Sequence, residues 1–555
     1  MKKYSILLFV LFVSDLLQAQ TKVNSYTFGA MEARWLGPGT MSGRITAIEG
    51  VNSDNKTLYV GSAGGGIWKS TNAGASFKPI FDKYCMSIGA IAVDQSKPEV
   101  VFAGTGESNM RNTVSIGDGL YKSTDAGDNW TKIGLDSTEH IAKIIIDPKN
   151  SNIIYVAAPG PLWSDSKHRG LYKSEDGGQT WNKTLYVNEK TGCADIALDP
   201  TNPNIVYASM WEFRRFPYAF NSGGKGSGMY KSIDGGKTWK EINNGLPAKP
   251  FGRIAFALAP SAPQNLLAIV ESKETGLYIT EDGGDRWSKQ SATMNVVSRP
   301  FYFSALVVDP KDPKRVYRPG YEFSYSDDGG HSFTDASYDG GWVHSDHHAL
   351  WINPNYTNQM YLGTDGGVYI SLDRGATWMF VYCLPVGQFY HVALDNKDPY
   401  RMYGGLQDNG SWMAPSAAPG GVNNAVWQNL YGGDGFWAVP DLTDDNIAYA
   451  EAQGGNMGRI DLTSYKSVDI TPQAGEGDEK LRWNWNTPIV TGQANKHDLY
   501  TAAQYLYKTT DQGRSWHKIS PDLTTNDKKK QQQEESGGLS EDNTSAENHC
   551  TIFTP

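Results

Sequence analysis

The sequence predicts an all-β fold, a β-propeller of four-stranded blades, about ten in number. Three observations predict it. One octet, Ser/Thr-x-Asp-x-Gly-x-x-Trp/Phe with Asn in place of Asp in the first copy, recurs from residue 70 to residue 516. The first seven copies begin about 45–58 residues apart, the period of a blade. Composition agrees: Gly makes up 60 of 555 residues, Trp 17 and Tyr 30, while charged residues are only 20%. That balance suits turns and pleated sheets rather than helices.

The chain opens M-K-K-Y-S-I-L-L-F-V-L-F-V. A basic start, a short apolar run and small residues near Ala19 read as a secretory signal over residues 1–19, too short for a membrane span. The protein is expected outside the cytoplasm of a bacterium: periplasmic, on the outer surface or secreted. Residues 20–43 follow as an N-terminal segment, and M-E-A-R-W-L-G-P-G within it resembles the tail of a repeat unit. It could donate a closing strand to a ring.

The octets start at Ser70, Ser123, Ser174, Ser232, Thr280, Ser326, Ser371 and Thr509. Between the last two lies room for two units without an octet, around residues 389–410 and 435–456. Each unit repeats one grammar: an apolar strand, an Asp-Pro-type turn, a second strand, a variable loop, a third strand, then the octet turning into a fourth. The octet has a structural task. Its carboxylate, at Asp125, Asp176, Asp234, Asp282, Asp328, Asp373 and Asp511, can accept N–H groups of its own turn. Its Gly allows positive φ, and its Trp or Phe folds back to bury apolar area. Seven blades are expected in residues 44–381 and three in residues 382–524. A polar linker follows in residues 525–547, then an apolar strand opening in residues 548–555.

A net charge of −10 argues against nucleic acid as a partner. Four scattered cysteines suit neither a disulfide framework nor a zinc site. No metal or cofactor is implied, and no run after the signal is long and apolar enough to span a membrane.

The octets resemble Asp-boxes, or bacterial neuraminidase (BNR) repeats. These occur in sialidases, in xyloglucanase-type glycoside hydrolases of family 74, and in sortilin and vacuolar sorting receptors. A wider resemblance, to exported bacterial glycosyl hydrolase-like or sortilin N-terminal domain proteins, rests on further segments. They are W-L-G-P-G-T-M-S-G-R-I (35–45), H-S-D-H-H-A-L-W-I-N-P (344–354), L-P-V-G-Q-F-Y (384–390), G-G-L-Q-D-N-G (404–410), I-S-P-D-L-T-T-N-D (519–527) and A-E-N-H-C-T-I (546–552). It implies two seven-bladed propellers in tandem. The ten blades here would then be one full ring and a three-blade arc, truncated relative to that plan, with the missing blades as partners. A single ten-bladed ring is the alternative.

In propellers the loops between strands two and three usually meet the ligand. Here they hold Glu107, Trp163, Trp211, Glu212, Arg214, Glu322, Gln407 and, beside them, Asp434. That mixture of aromatic rings and charges suits sugar stacking or an extended polypeptide. The densest ionisable run is His344, Asp346, His347 and His348. Alternation along a strand puts Asp346 and His348 on one side, as ligand contacts or as a satisfied polar network. Glycoside hydrolysis needs two carboxylates. The xyloglucanase resemblance places one in a T-D-I-G-G loop of the first blade, where this chain has G-S-A-G-G-G, with Ala63 in the position of the Asp. Asp365 and Asp408 occupy the same loop type in later blades and are the catalytic candidates. Taken alone, the residues favour a non-catalytic recognition module for polysaccharide or polypeptide. A secreted glycoside hydrolase acting on a β-glucan-type polysaccharide is the alternative.

Overall fold

Ten antiparallel sheets, each a meander of consecutive strands, account for nearly all regular structure. The computed structural model describes residues 27, 29, 34–37, 42–111, 113–336, 342–540 and 546–554. Residues Met1–Leu36 form a unit of their own. The signal and most of the segment expected to donate a closing strand lie outside the described residues. Gly37–Pro555 form the second unit.

The blades span residues 45–79, 88–134, 143–185, 191–241, 254–291, 307–335, 347–380, 389–431, 435–469 and 489–518. Helix is confined to one four-residue turn, Met294–Val297, and short 3-10 segments among the described residues. Blade 4 departs from the pattern. Its second strand, Val206–Phe216, overruns the sheet and folds back on a fifth strand, Ala219–Ser222.

Every octet sits at the turn between strands three and four, as its residue types require. In the second copy, Asp125 Oδ1 accepts the Asn129 N–H at 2.9 Å. Ser123 Oγ donates to Asp125 at 2.7 Å and accepts the Gly127 N–H at 2.8 Å. The first-position hydroxyl is therefore the hub of the turn, beyond merely ending a strand. Gly127 takes φ +95°. The octet Trp also reaches the preceding blade: Trp130 Nε1 donates to Ile80 O at 3.0 Å, Trp181 to Ile133 O at 3.0 Å, and Trp287 to Ile242 O at 2.8 Å. The octet thus closes its own turn and staples two blades.

Apolar clusters between successive blades show how the blades group. One joins blades 6 and 7 through Tyr317, Phe323, Met360 and Leu362. The next joins blade 7 not to blade 8 but to blade 1, through Ala349, Tyr361 and Val368 against Ile45, Leu58 and Val60. A recurring bond says the same. Tyr59, Tyr155 and Tyr207 each donate to an octet carbonyl of the following blade. Tyr361 of blade 7 donates to Ala73 O of blade 1. Seven blades therefore close a ring, and a single ten-bladed ring is excluded. Among the described residues, blade 7 has its own fourth strand, Met379–Phe380. Blades 8, 9 and 10 stack as an arc around Ala438, Ala448 and Ile460, then Tyr449, Ile489 and Leu499.

The stretch read from composition as a polar linker is docked over its described part. The Gly537 N–H donates to Phe220 O and the Leu539 N–H to Ser222 O, extending the blade 4 hairpin. Ser540 Oγ donates to buried Glu271, and Glu547 forms a buried ion pair with Arg215 at 2.6 Å. Asn548 then returns to Trp483 O beside the arc. Residues 528–540 and 546–549 tie the arc to blade 4 like a strap.

Candidate functional site

Two turns of the same type, one in blade 7 and one in blade 8, meet where the ring joins the arc. Asp365 lies in the turn between Met360–Thr364 and Gly367–Ser371. Asp408 lies in the turn between Arg401–Leu406 and Gly410–Pro415. Asn409 locks them together, its amide donating to Asp365 O at 3.0 Å and Gln407 O at 2.8 Å. Close backbone approaches bring the turns in. A side chain on Gly43 would meet Val386 O at 2.3 Å, and one on Gly366 would meet the His344 ring at 2.3 Å.

Arg44, next to Gly43, is the charge at the centre. Its Nε and Nη2 donate to the two Asp365 oxygens at 2.7 and 2.5 Å, and Nη2 also donates to Asp408 Oδ2 at 2.8 Å. Its Nη1 lies 3.5 Å from Glu107 Oε1. Tyr302 OH donates to Asp365 Oδ2 at 3.0 Å, and His348 Nε2 lies 2.8 Å from Oδ1. Burial alone would raise the Asp365 carboxyl, but Arg44 and His348 outweigh it and hold it well below the usual carboxylate range. Burial lowers the His348 imidazole, which Asp365 then orients.

Asp408 is the opposite case. Its side chain is 23% exposed toward the cleft. Burial, then the negative charges of Asp365 and Asp434, push its carboxyl well above the ordinary value. Asp434 Oδ1 accepts the Asp408 N–H at 2.5 Å, and burial raises Asp434 also, against those hydrogen bonds. Burial raises Glu107 to about 7 although Arg44 opposes it. Asp346 is raised to about 7 by burial and by Asp365. Asp346 and Asp408 both take the left-handed backbone, φ +63° and +60°. Such strain in non-Gly residues gathers at functional sites.

These groups open onto a cleft of about 340 Å³, lined by Arg44, Arg111, Arg299, Asp346, Asp408 and Asp434 together with Tyr302, Tyr390, Phe436 and Trp485. Tyr390 and Phe436 stack at 4.2 Å. The arrangement offers one clamped carboxyl held below the usual carboxylate range, one raised well above it in reach of solvent, and aromatic walls. Among the described residues no group of His, Cys, Asp and Glu is arranged to hold a metal ion. No described helix is long and apolar enough to cross a membrane.

Of the residues predicted from sequence, the structure brings Asp365, Asp408, Asp346, Asp434, Glu107, His344 and His348 together. His344 Nε2 lies 3.1 Å from Asp408 O. Gln407 is buried, and its backbone joins the turn to Gln388 O. Glu212 and Arg214 line a separate pocket beside Asp165 and Phe216. Trp163 is exposed on the blade 3 loop, and Glu322 is half-buried beside Gly320. One expectation is corrected. Trp211 is fully buried, stacked on Phe213 at 4.2 Å, with its indole N–H donating to Ser222. The overrunning hairpin of blade 4 covers it, so it packs and cannot touch a ligand. Alternation along the strand does not relate Asp346 to His348, because strand His347–Ile352 begins one residue after the left-handed Asp346. Sequence reasoning missed Arg44, Tyr302, Arg299 and Trp485. Arg44 and Tyr390 stood inside quoted segments, S-G-R-I and G-Q-F-Y, and that was their only signal.

Comparison with known proteins adds the family context. The sortilin (Vps10; sortilin, neurotensin receptor 3) family model matches residues 118–247. A xyloglucanase of a Paenibacillus species is 24% identical over 317 residues, 50% of this chain and 29% of that protein. A probable oligoxyloglucan-reducing end-specific xyloglucanase of Neosartorya fischeri is 27% identical over 496 residues, 69% of this chain and 58% of that protein. The chain thus spans less than two thirds of the length of these relatives. Among solved structures, an ancestral GH74 enzyme superposes with a TM-score of 0.60 at 17% identity, covering 89% of this chain and 72% of its own. With the blade architecture already established, these likenesses agree with a β-propeller fold similar to that of the xyloglucanases and to the sortilin family model.

Proposed function

We propose that the chain acts outside the cytoplasm as a glycoside hydrolase on a β-glucan-type polysaccharide, with Asp408 as its proton donor. One observation carries the proposal: Asp408 reaches the open cleft beside Asp434 and Asp346, and burial, with Asp365 and Asp434 facing it, raises its carboxyl well above the ordinary value. A general acid in glycoside cleavage needs that property, a proton held at neutral pH beside the leaving oxygen. Aromatic walls from Tyr390, Phe436 and Trp485 suit sugar rings. The xyloglucanase relatives support the same class, at low identity over part of the chain. Asp365 does not share the donor role. Its side chain is wholly buried and its oxygens are taken by Arg44, Tyr302 and His348. It holds Arg44, which in turn holds Asp408.

A second reading, binding without cleavage, is favoured by one feature. Ala63, buried in the blade 1 turn, stands where the xyloglucanase resemblance places a carboxylate. Reducing-end release from xyloglucan and mixed-linkage β-glucan, with calorimetric binding to the same polymers, separates the two. The expected result is release by the wild type and a drop of about 100-fold or more in Asp408→Asn, with binding retained. Binding by the wild type without any release favours the second reading.

A further inference from the structure

If Asp408 gives up a proton and water attacks directly, a second carboxylate takes a proton from that water, and the hydrogen bonds of its neighbours separate the candidates. Asp365 has no oxygen left for a water. Its two oxygens face Arg44, Tyr302 and His348, and its side chain is 0% exposed. Glu107 lies behind Arg44 with a side chain only 3% exposed. Asp434 is spent on the Asp408 turn, accepting its backbone N–H.

Asp346 differs from all three. It is half-buried, it lines the same cleft as Asp408, and its carboxylate accepts no hydrogen bond among the described residues. Its backbone is fixed at both ends. Its N–H donates to Tyr321 O of blade 6 at 3.0 Å, and its carbonyl accepts the Asp365 N–H at 2.9 Å. The left-handed φ of +63° lies between those anchors. Anchored by blades 6 and 7, the residue presents its carboxylate to the cleft that Asp408 also lines.

Resting on the hydrolase reading above, we propose that Asp346 is the general base, taking the task for which blade 1 offers only Ala63. Its carboxylate removes a proton from a water in the cleft as the water oxygen bonds to the anomeric carbon. The bond from that carbon to the glycosidic oxygen breaks, and that oxygen leaves with the Asp408 proton. Because water attacks directly, the product carries the inverted anomeric configuration. Four charged groups act on Asp346. Burial is the main cause that raises its carboxyl, to about 7; Asp365 and Asp434 add to it, and Arg299 and Arg44 oppose it. Turnover therefore rises with pH through the neutral range.

The test uses the full chain and a xyloglucan oligosaccharide. Asp346→Ala is expected to lose about 100-fold or more in turnover while still binding. Sodium azide, filling the vacated space, is expected to restore turnover and to give a glycosyl azide of inverted configuration, read by NMR. Turnover kept in Asp346→Ala, or a loss in the folded variant that azide does not restore, overturns the base. Asp346→Asn carries the test if the alanine variant does not fold: the rise of turnover through pH 7 should vanish, and an unchanged rise overturns the proposal. A wild type that releases no reducing ends overturns the hydrolase reading itself, and the base with it.

Discussion

Arg44 illustrates how much at the residue scale depends on one cation. It faces Asp365, Asp408 and Glu107 from within the protein, with a side chain only 2% exposed. Removing it leaves at least one carboxylate buried without a countercharge. Arg44→Met is therefore expected to cost about 3–5 kcal/mol, measured by denaturant unfolding, although methionine fills similar space. A cost below about 1 kcal/mol would mean that Asp365 is not held as an anion. The sequence showed the carboxylates but not this residue, for a physical reason. Asp365 and Asp408 lie 321 and 364 positions from Arg44. Closure of blade 7 onto blade 1 brings Asp365 to Arg44 and the junction of ring and arc brings Asp408, and no local spacing encodes either contact. Trp211 shows the converse. An aromatic residue in a variable loop looks like a ligand contact until a hairpin that the loop itself forms covers it.

At the scale of elements, the octet was legible because its interactions are local. Asp, Ser and Gly satisfy one turn within a few residues, so their spacing reports their task. The cross-blade bond of the Trp was not legible, since its acceptor belongs to the preceding unit. Trp130 is buried against Phe81 and donates to Ile80 O. Trp130→Ala is expected to cost about 3–5 kcal/mol, and Trp181→Ala less, because Trp181 is only half-buried. Equal costs in thermal unfolding would contradict this difference. The strap behaves differently. Lysine, glutamine and glutamate in residues 528–535 look like solvated linker, yet Glu547 buries its charge on Arg215. Glu547→Gln should release the strap, so trypsin should cut at Lys528, Lys529 and Lys530 sooner than in the wild type. Unchanged cleavage would show that the backbone pairing to Phe220 and Ser222 holds it alone.

Over the whole molecule, the buried carboxylates set a pH dependence. Glu49 is raised to about 8, and Glu107, Glu271 and Asp346 to about 7, in each case mainly by burial. Unfolded, these groups titrate near pH 4. The folded state thus binds more protons than the unfolded state between about pH 4 and 8, and stability is lost as pH rises through that window. Asp365 and the octet aspartates, such as Asp125, are shifted the other way, and their contribution is lost only on acidification below the unfolded value. The melting temperature is expected to peak near pH 5 and to fall toward pH 8, more gently in Glu107→Gln; calorimetry across that range checks it. At this scale the ten-blade count and the break after the seventh followed from the repeat period and from the octets that are missing. The cleft did not, because it arises from two turns meeting across the junction of ring and arc. The proposed hydrolase function depends most directly on a proton held by Asp408. Infrared difference spectra of wild type against Asp408→Asn at pH 7 test it: a protonated-carboxyl C=O band present in the wild type and absent in the variant is the predicted result. A wild type showing only carboxylate bands at that position would contradict the account.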